Sequence, residues 1–301
     1  MPLESSGVWP VIWLARSILW LLARLPGPAP YRLARRLAGL WMRLSPGKRS
    51  VATINLRACY PKLGDAEIDA LVRESFVHYV CSIFETGRNW YWPLDQLQAM
   101  CDGDAGVKLF EESLRHGKGV VVLAPHFGAW EFLGMFLQKF PDIVILYKPP
   151  GHPGLEKALL QQRRRGGANM LPATASGLRK LYAHVLAGKG AGILPDQQPG
   201  SGQGRFAPFF GVPALTGVMA PRLIHKTGCE VFFAVCERLE GGRYRMHVFP
   251  AGEGIYSDDM DVALAEVNCG VEQCIHIDPA QYLWSYKRFR ARPEGEPPMY
   301  P

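Results

Sequence analysis

The sequence predicts an α/β fold: a mixed central sheet flanked by helices, preceded by an apolar N-terminal helix that reads as a membrane segment. Three observations carry this. Short apolar runs bounded by Gly and Pro alternate with longer stretches of helical periodicity, the pattern of a sheet with crossover helices. A Gly-Lys-Gly turn, an apolar run, a Pro and an ionisable residue occur twice in that order. Finally, Val8 to Leu25 is apolar except for Arg16, Ser17 and Arg24.

The elements follow in order. As a helix, Val8 to Leu25 approaches one bilayer width. Arg16 near its centre is costly there, and snorkelling or an in-plane pose relieves that cost. No Lys or Arg precedes the run and no small-residue cleavage site follows it, which argues against a cleaved signal peptide. A buried core helix is the other reading. From Arg24 to Gly64 there are nine Lys and Arg and no Asp or Glu, while the chain as a whole carries +7. The rest is therefore slightly acidic. A basic block beside an apolar helix fits anionic headgroups and the cytoplasmic side of a membrane. Residues 1–26 are thus expected to anchor the chain. Residues 27–301 are expected to form a cytoplasmic domain whose first part, 27–64, is a basic juxtamembrane region.

A long helix is expected from Ala66 to Trp92, ending in the aromatic cluster Trp90, Tyr91 and Trp92, which suits a core or a lipid interface. Strands are expected at Val120–Leu123, Ile143–Tyr147, Gly192–Leu194, Val231–Val235 and Tyr244–Val248. Amphipathic patterns through Val107, Leu109, Phe110 and Leu114, and through Leu178, Leu181, Val185 and Leu186, place a helix before each Gly-Lys-Gly turn. Ser176 is the expected N-cap of the second. Leu215–Lys226 and Val262–Ile275 also read as helical.

Composition excludes several classes. Mean hydropathy near zero (−0.03) is too low for a polytopic membrane protein. The seven cysteines include no CxxC pair and are odd in number, as expected of reduced thiols rather than a disulfide framework. No H-E-x-x-H spacing is present, and no metal or other cofactor is expected. The Gly-rich loop Pro199–Gly204 lacks the Lys and Ser/Thr of a phosphate-binding loop. The basic block comes with no nucleic-acid-binding motif.

Chemistry concentrates at His126-Phe127-Gly128-Ala129-Trp130-Glu131. A buried strand ending in Pro125 and then His126 delivers an imidazole to the carboxyl edge of a sheet, where ligands of open α/β sheets bind. With His126 in the strand-to-helix turn, eased by Gly128, and Glu131 in the first helical turn, the two side chains can meet. A carboxylate-held His is a general base with a fixed tautomer. The blander reading makes His126 a packed ring and Glu131 a helix-start residue. The second copy of the pattern ends in Pro195 and Asp196, so parallel strands would bring His126 and Asp196 to one edge.

Four ordered blocks give the chain a wider resemblance: Ala124 to Glu131 (APHFGAWE), Ile193 to Gly200 (ILPDQQPG), Phe206 to Thr216 and Pro279 to Gly295. With these the chain resembles the bacterial lipid A biosynthesis acyltransferases, the late lauroyl/myristoyl transferases of the H-x4-D/E acyltransferase superfamily. One departure is Tyr286, where many members carry His. The resemblance implies a glycerolipid-acyltransferase-like fold and an inner-membrane location. It also implies transfer of a fatty acyl chain from acyl carrier protein to a hydroxyl of a lipid A precursor. On it, His126 and Glu131 are catalytic, with Glu131 orienting the imidazole. One of Arg163, Arg164 and Arg165 stabilises the developing oxyanion or binds the donor, and the sequence leaves open which. Asp196 and Gln197 are candidates for acceptor binding; for Asp196, a helix or turn cap is an equal alternative. Other readings are the same chemistry on a lysophospholipid or amino-acid-derived lipid, or a catalytically silent lipid-binding protein of the membrane. An intact His126, Glu131 and Asp196 set argues against silence.

Overall fold

The structure, a computed structural model, describes residues 8–25, 28–103, 105–140, 142–150, 153–165, 167 and 169–301. The expected anchor residues 1–7 and 26, and Gly166 beside the arginine run, lie outside these.

Four helices open the chain: α1 (Val8–Ala23), α2 (Ala29–Leu44), α3 (Pro46–Cys59) and α4 (Asp65–Tyr91). The Glu67 carboxylate accepts from the Gly64 N–H at 2.8 Å, and with Asp65 puts negative charge in the first turn of α4. Then come α5 (Leu94–Ala99), β1 (Cys101–Gly103), α6 (Ala105–His116), β2 (Val120–Leu123), α7 (Trp130–Phe136), β3 (Ile143–Tyr147) and α8 (Pro153–Arg163). The second half holds β4 (Asn169–Pro172), α9 (Ala175–Leu186), β5 (Gly190–Ile193), β6 (Gly204–Phe209), β7 (Val212–Gly217) and α10 (Met219–Thr227). It ends with β8 (Glu230–Arg238), β9 (Tyr244–Pro250) and α11 (Met260–Ile277).

The central sheet has seven strands in the order β1-β9-β8-β2-β5-β3-β4, parallel except where β9 runs against β8. Its inner strands β2 and β5 are buried on both faces, which is why β2 reads Val-Val-Val-Leu without alternation. Val121, Leu123, Ala191, Ile193, Val231 and Phe233 face a core built with α3, α4, α9, α10 and α11. Val120, Val122, Phe232 and Ala234 face a second core under α5, α6 and α7. The chain leaves β2 through α7 on one face and leaves β5 towards α10 on the other. Such divergence leaves strand ends open to a ligand in α/β sheets.

The twin Gly-Lys-Gly turns pack against each other. A Cβ on Gly188 would lie 2.3 Å from the Gly117 carbonyl oxygen, and both residues have positive φ (82° and 71°). Their glycines therefore permit a close approach that no side chain would allow.

Several expectations need correction. Among the described residues no helix is long and apolar enough to cross a membrane. The helix α1 has 16 residues, about 24 Å at 1.5 Å per residue against a hydrocarbon core of about 30 Å. It packs on α4: the Trp92 indole donates to the Ala23 carbonyl (2.7 Å) and the Tyr91 hydroxyl to the Arg16 carbonyl (3.1 Å). The predicted helix Leu215–Lys226 begins instead as β7, paired antiparallel with β6, and turns helical at Met219. Thr174, not Ser176, caps α9, its hydroxyl accepting from the Gly177 N–H at 3.3 Å. Strand β5 starts at Gly190 and stops at Ile193, and β1, β4 and β6 were not anticipated.

Candidate active site

Strands β2 and β5 pair in parallel with Leu123 opposite Ile193. His126 and Asp196 each lie three residues further on, so the register alone makes them neighbours. The His126 Nδ1 stands 2.8 Å from Asp196 Oδ1, and the His126 backbone N–H donates to Oδ2 at 2.9 Å. Asp196 thus grips both the ring and the main chain of the same residue. Its side chain is 2% exposed and that of His126 16%.

The carboxylate on the imidazole is therefore Asp196, and the expected His126–Glu131 contact is replaced by another. Glu131, in the first turn of α7, pairs with Arg163 at the end of α8: Arg163 Nε donates to Oε2 at 3.1 Å, and its terminal nitrogen donates to Oε1. The Glu131 carboxylate thus makes its hydrogen bonds with that guanidinium rather than with the imidazole. Of the three arginines, only Arg163 points to the site. Arg165 donates to the carbonyls of Asn89 and Trp92 at the end of α4, at 3.3 and 2.7 Å, and Arg164 is exposed.

Electrostatics follow from this arrangement. Burial works against a charged imidazole, yet the Asp196 carboxylate, with a smaller contribution from Glu131, outweighs it and the opposing Arg163. The pKa of His126 is held above its ordinary 6.5. Burial likewise works against the Asp196 carboxylate, but the His126 charge and hydrogen bonds hold its pKa below the usual carboxylate value. The second ring nitrogen, Nε2, is 3.1 Å from the Gln197 amide nitrogen. The ionised Asp196 carboxylate opposite Nδ1 can only accept, so in the neutral ring Nδ1 carries the proton and Nε2 is the acceptor. That is the tautomer a general base needs, its lone pair aimed outward. The Trp130 ring lies 5.8 Å from the imidazole, centroid to centroid.

Behind Asp196, the Tyr286 hydroxyl accepts from the Gln198 N–H at 2.9 Å, and the Gln198 side-chain oxygen accepts from the Ala291 N–H at 3.0 Å. The C-terminal segment therefore steadies the loop that carries Asp196 and Gln197. Among the described residues no group of three His, Cys, Asp or Glu side chains converges as a metal site.

Comparison with known proteins resolves what such a site belongs to. Residues 4–291 match the family model of the bacterial lipid A biosynthesis acyltransferases. The chain belongs to that family. It is 29% identical over 292 residues to the lipid A biosynthesis lauroyltransferase of Escherichia coli K12, covering 96% of this chain and 94% of the relative. It is 27% identical over 290 residues to the palmitoleoyltransferase of the same organism, with the same coverage. The myristoyltransferase of that organism is 26% identical over 290 residues, covering 94% of this chain and 88% of the relative. In this acyltransferase the matched region includes His126, Glu131, Arg163, Asp196 and Gln197.

Sequence reasoning singled out Asp196 but gave it to the acceptor. The doubled strand pattern was the signal that pairs it with His126. Arg238, Glu85 and His78, a buried cluster directly behind the turn that carries His126, gave no local signal at all.

Proposed function

We propose that the chain moves a fatty acyl group from acyl carrier protein to a hydroxyl of a lipid A precursor, at the cytoplasmic face of the bacterial inner membrane. The observation that carries the mechanism is the aligned array Asp196, His126 Nδ1–H, and an outward-facing Nε2 beside the Glu131–Arg163 fork. His126 takes the proton of the acceptor hydroxyl as its oxygen attacks the thioester carbonyl carbon. Arg163, held by Glu131, stabilises the oxyanion that develops, usually a large term in acyl transfer. Collapse expels the carrier thiolate, which recovers the proton from the imidazolium. No enzyme nucleophile takes part. Gln197, released from Nε2, is placed to hydrogen-bond the incoming hydroxyl.

The membrane reading is interfacial. On α1, Trp13 (65%), Leu14 and Leu21 are exposed, and on α2 Leu40, Trp41 and Leu44 (71%). Arg32, Arg36 and Arg43 are exposed on the same helix as the last three. Apolar side chains at headgroup depth with cations around them suit a helix lying in the plane of an anionic bilayer.

The test is acyl transfer from acyl carrier protein to a purified lipid A precursor, with acyl-CoA and lysophospholipid as competing donor and acceptor. His126→Ala should lower kcat by about 10²–10⁴-fold, the usual cost of losing a general base. Near-wild-type turnover in the folded variant would overturn the mechanism. Equal use of the competing donor and acceptor would overturn the substrate assignment.

A further inference from the structure

Behind the turn that carries His126 and Glu131 lies a buried ion pair with no part in the chemistry above. Arg238, the last residue of β8, has a side chain 1% exposed. Its Nε is 2.5 Å from Glu85 Oε1, and one terminal nitrogen is 2.8 Å from Glu85 Oε2. That same nitrogen donates to the Gly128 carbonyl at 2.9 Å and to the Ser82 hydroxyl at 3.1 Å. The other stands 3.0 Å from His78 Nδ1. Burial, with Arg238 and Arg35 nearby, pushes the His78 pKa down to about 3, so this ring is a neutral acceptor.

The main chain around Gly128 is held from the same side. Ala129 N–H donates to the Cys236 carbonyl (2.8 Å) and Gly128 N–H to the Gln281 carbonyl (2.9 Å). The Gln281 amide in turn closes on Arg238, accepting from its N–H at 2.8 Å and donating to its carbonyl at 2.9 Å. Gly128 has φ of +52°, and a Cβ there would fall 2.1 Å from the Cys236 carbonyl oxygen. The turn is thus pressed against β8 in a conformation that needs external support. A buried ion pair is a poor way to gain stability, because desolvation cancels much of the attraction. Here it directs a donor to a single carbonyl between the two site residues.

We propose that Arg238 is a positioning residue for acyl transfer, fixing the Gly128 carbonyl and with it the placement of His126 and Glu131, while Glu85 of α4 holds the guanidinium. The proposal rests on the reading of His126 as the base. It requires that disturbing Arg238 change how His126 meets the groups that face it, Asp196, Glu131 and Arg163.

The experiment uses the full chain with lauroyl-acyl carrier protein and a purified lipid A precursor, comparing Arg238→Lys, the apolar pair replacement Glu85→Met/Arg238→Met, Ser82→Ala and His126→Ala. Circular dichroism and thermal melting verify folding. Arg238→Lys keeps the charge but loses the fork, and the paired replacement keeps volume without leaving a lone buried charge. Both are expected to lower kcat by about 10- to 100-fold, as a small misplacement of reacting groups does. KM should stay within about threefold, and the acid limb of the pH profile should move down as Asp196 loses its grip on the imidazole. Ser82→Ala removes an acceptor but not the Gly128 contact and should keep wild-type kcat. Wild-type kcat with an unmoved acid limb in either folded Arg238 variant would overturn the proposal. So would a fall in activity carried equally by KM with the limb unmoved, the mark of general loosening. An active His126→Ala would instead sink the reading beneath it.

Discussion

Asp196→Asn is the sharpest perturbation of the site because it changes almost no volume and yet cannot be accommodated. Asp196 accepts twice from His126, at Oδ2 from the backbone N–H (2.9 Å) and at Oδ1 opposite Nδ1 (2.8 Å). Asn offers one acceptor and one donor. If its oxygen takes the backbone N–H, its NH₂ faces Nδ1, which must then give up its proton. The hydrogen moves to Nε2, and the base loses the lone pair that faces substrate. If the amide flips, the backbone N–H is left facing a donor in a buried site, at about 1–3 kcal/mol. In the first arrangement kcat should fall by the ~10²–10⁴-fold of a lost general base, about 2.7–5.4 kcal/mol in the barrier. The second keeps the tautomer at that added cost in stability and loses the carboxylate charge that supports the imidazolium.

The pH dependence provides a second readout of the same substitution. With Asp196 raising it, the His126 pKa lies above 6.5, and the lone pair becomes available only as pH rises through that value. Removing the carboxylate leaves burial as the larger influence, so the acid limb of kcat/KM should move down. Stability follows the opposite signs of the two shifts. The His126 contribution is full below 6.5 and is lost as pH rises through the raised value, while that of Asp196 is present above 3.8 and is lost as pH falls through the lowered one. The Tm deficit of Asp196→Asn should therefore be largest between those limits and shrink towards pH 9. Kinetics and melting across that range are the assay. A kcat near wild type, an unmoved limb and a Tm deficit independent of pH would together refute the assignment of Asp196 as the orienting group.

Three further outcomes are expected. Arg163→Lys and Glu131→Gln should each lower kcat by about 10²–10³-fold, and the double variant should lose little more than the worse single one, since they act as one fork; full additivity in a double-mutant cycle would separate them. Gly128→Ala places a Cβ 2.1 Å from the Cys236 oxygen at φ +52°, adding about 1–2 kcal/mol of left-handed strain to at least one lost hydrogen bond; an unchanged Tm would show that the turn yields freely. Replacing Trp13, Leu14, Leu40 and Trp41 with Ser should release the protein from anionic vesicles without lowering its Tm, and unaltered co-sedimentation would remove α1 and α2 from the lipid contact.

Much of the sheet was legible because its inner strands are short apolar runs punctuated by Gly and Pro: Val120–Leu123 and Ile143–Tyr147 stand where the pattern put them. The β6–β7 hairpin was hidden because Pro213 interrupts its alternation and the apolar residues after it merge with those of α10. Strand β4, four residues long, offers too little sequence to show a period. At the site, the doubled Gly-Lys-Gly pattern placed His126 and Asp196 at one edge. Proximity in sequence nevertheless favoured Glu131, and its partner Arg163 comes from a different helix 32 residues away. Arg238 and Glu85 are 153 residues apart, and nothing local to either marks the contact. The N-terminal segment was ambiguous for a different reason, since a run of apolar residues serves a helix packed on α4 as well as it serves a membrane span or an in-plane helix.

The exits from β2 and β5 behave as two arms of equal length. Ala124 and Pro125 separate Leu123 from His126, just as Leu194 and Pro195 separate Ile193 from Asp196. One extra residue in either arm would carry its partner on by about 3.3 Å and turn the side chain to the other side. The same extra residue in both arms would carry the pair forward together. Two loops distant in sequence are thus bound to a common length, so a change that either would tolerate as a surface turn is admissible only when the other makes it too.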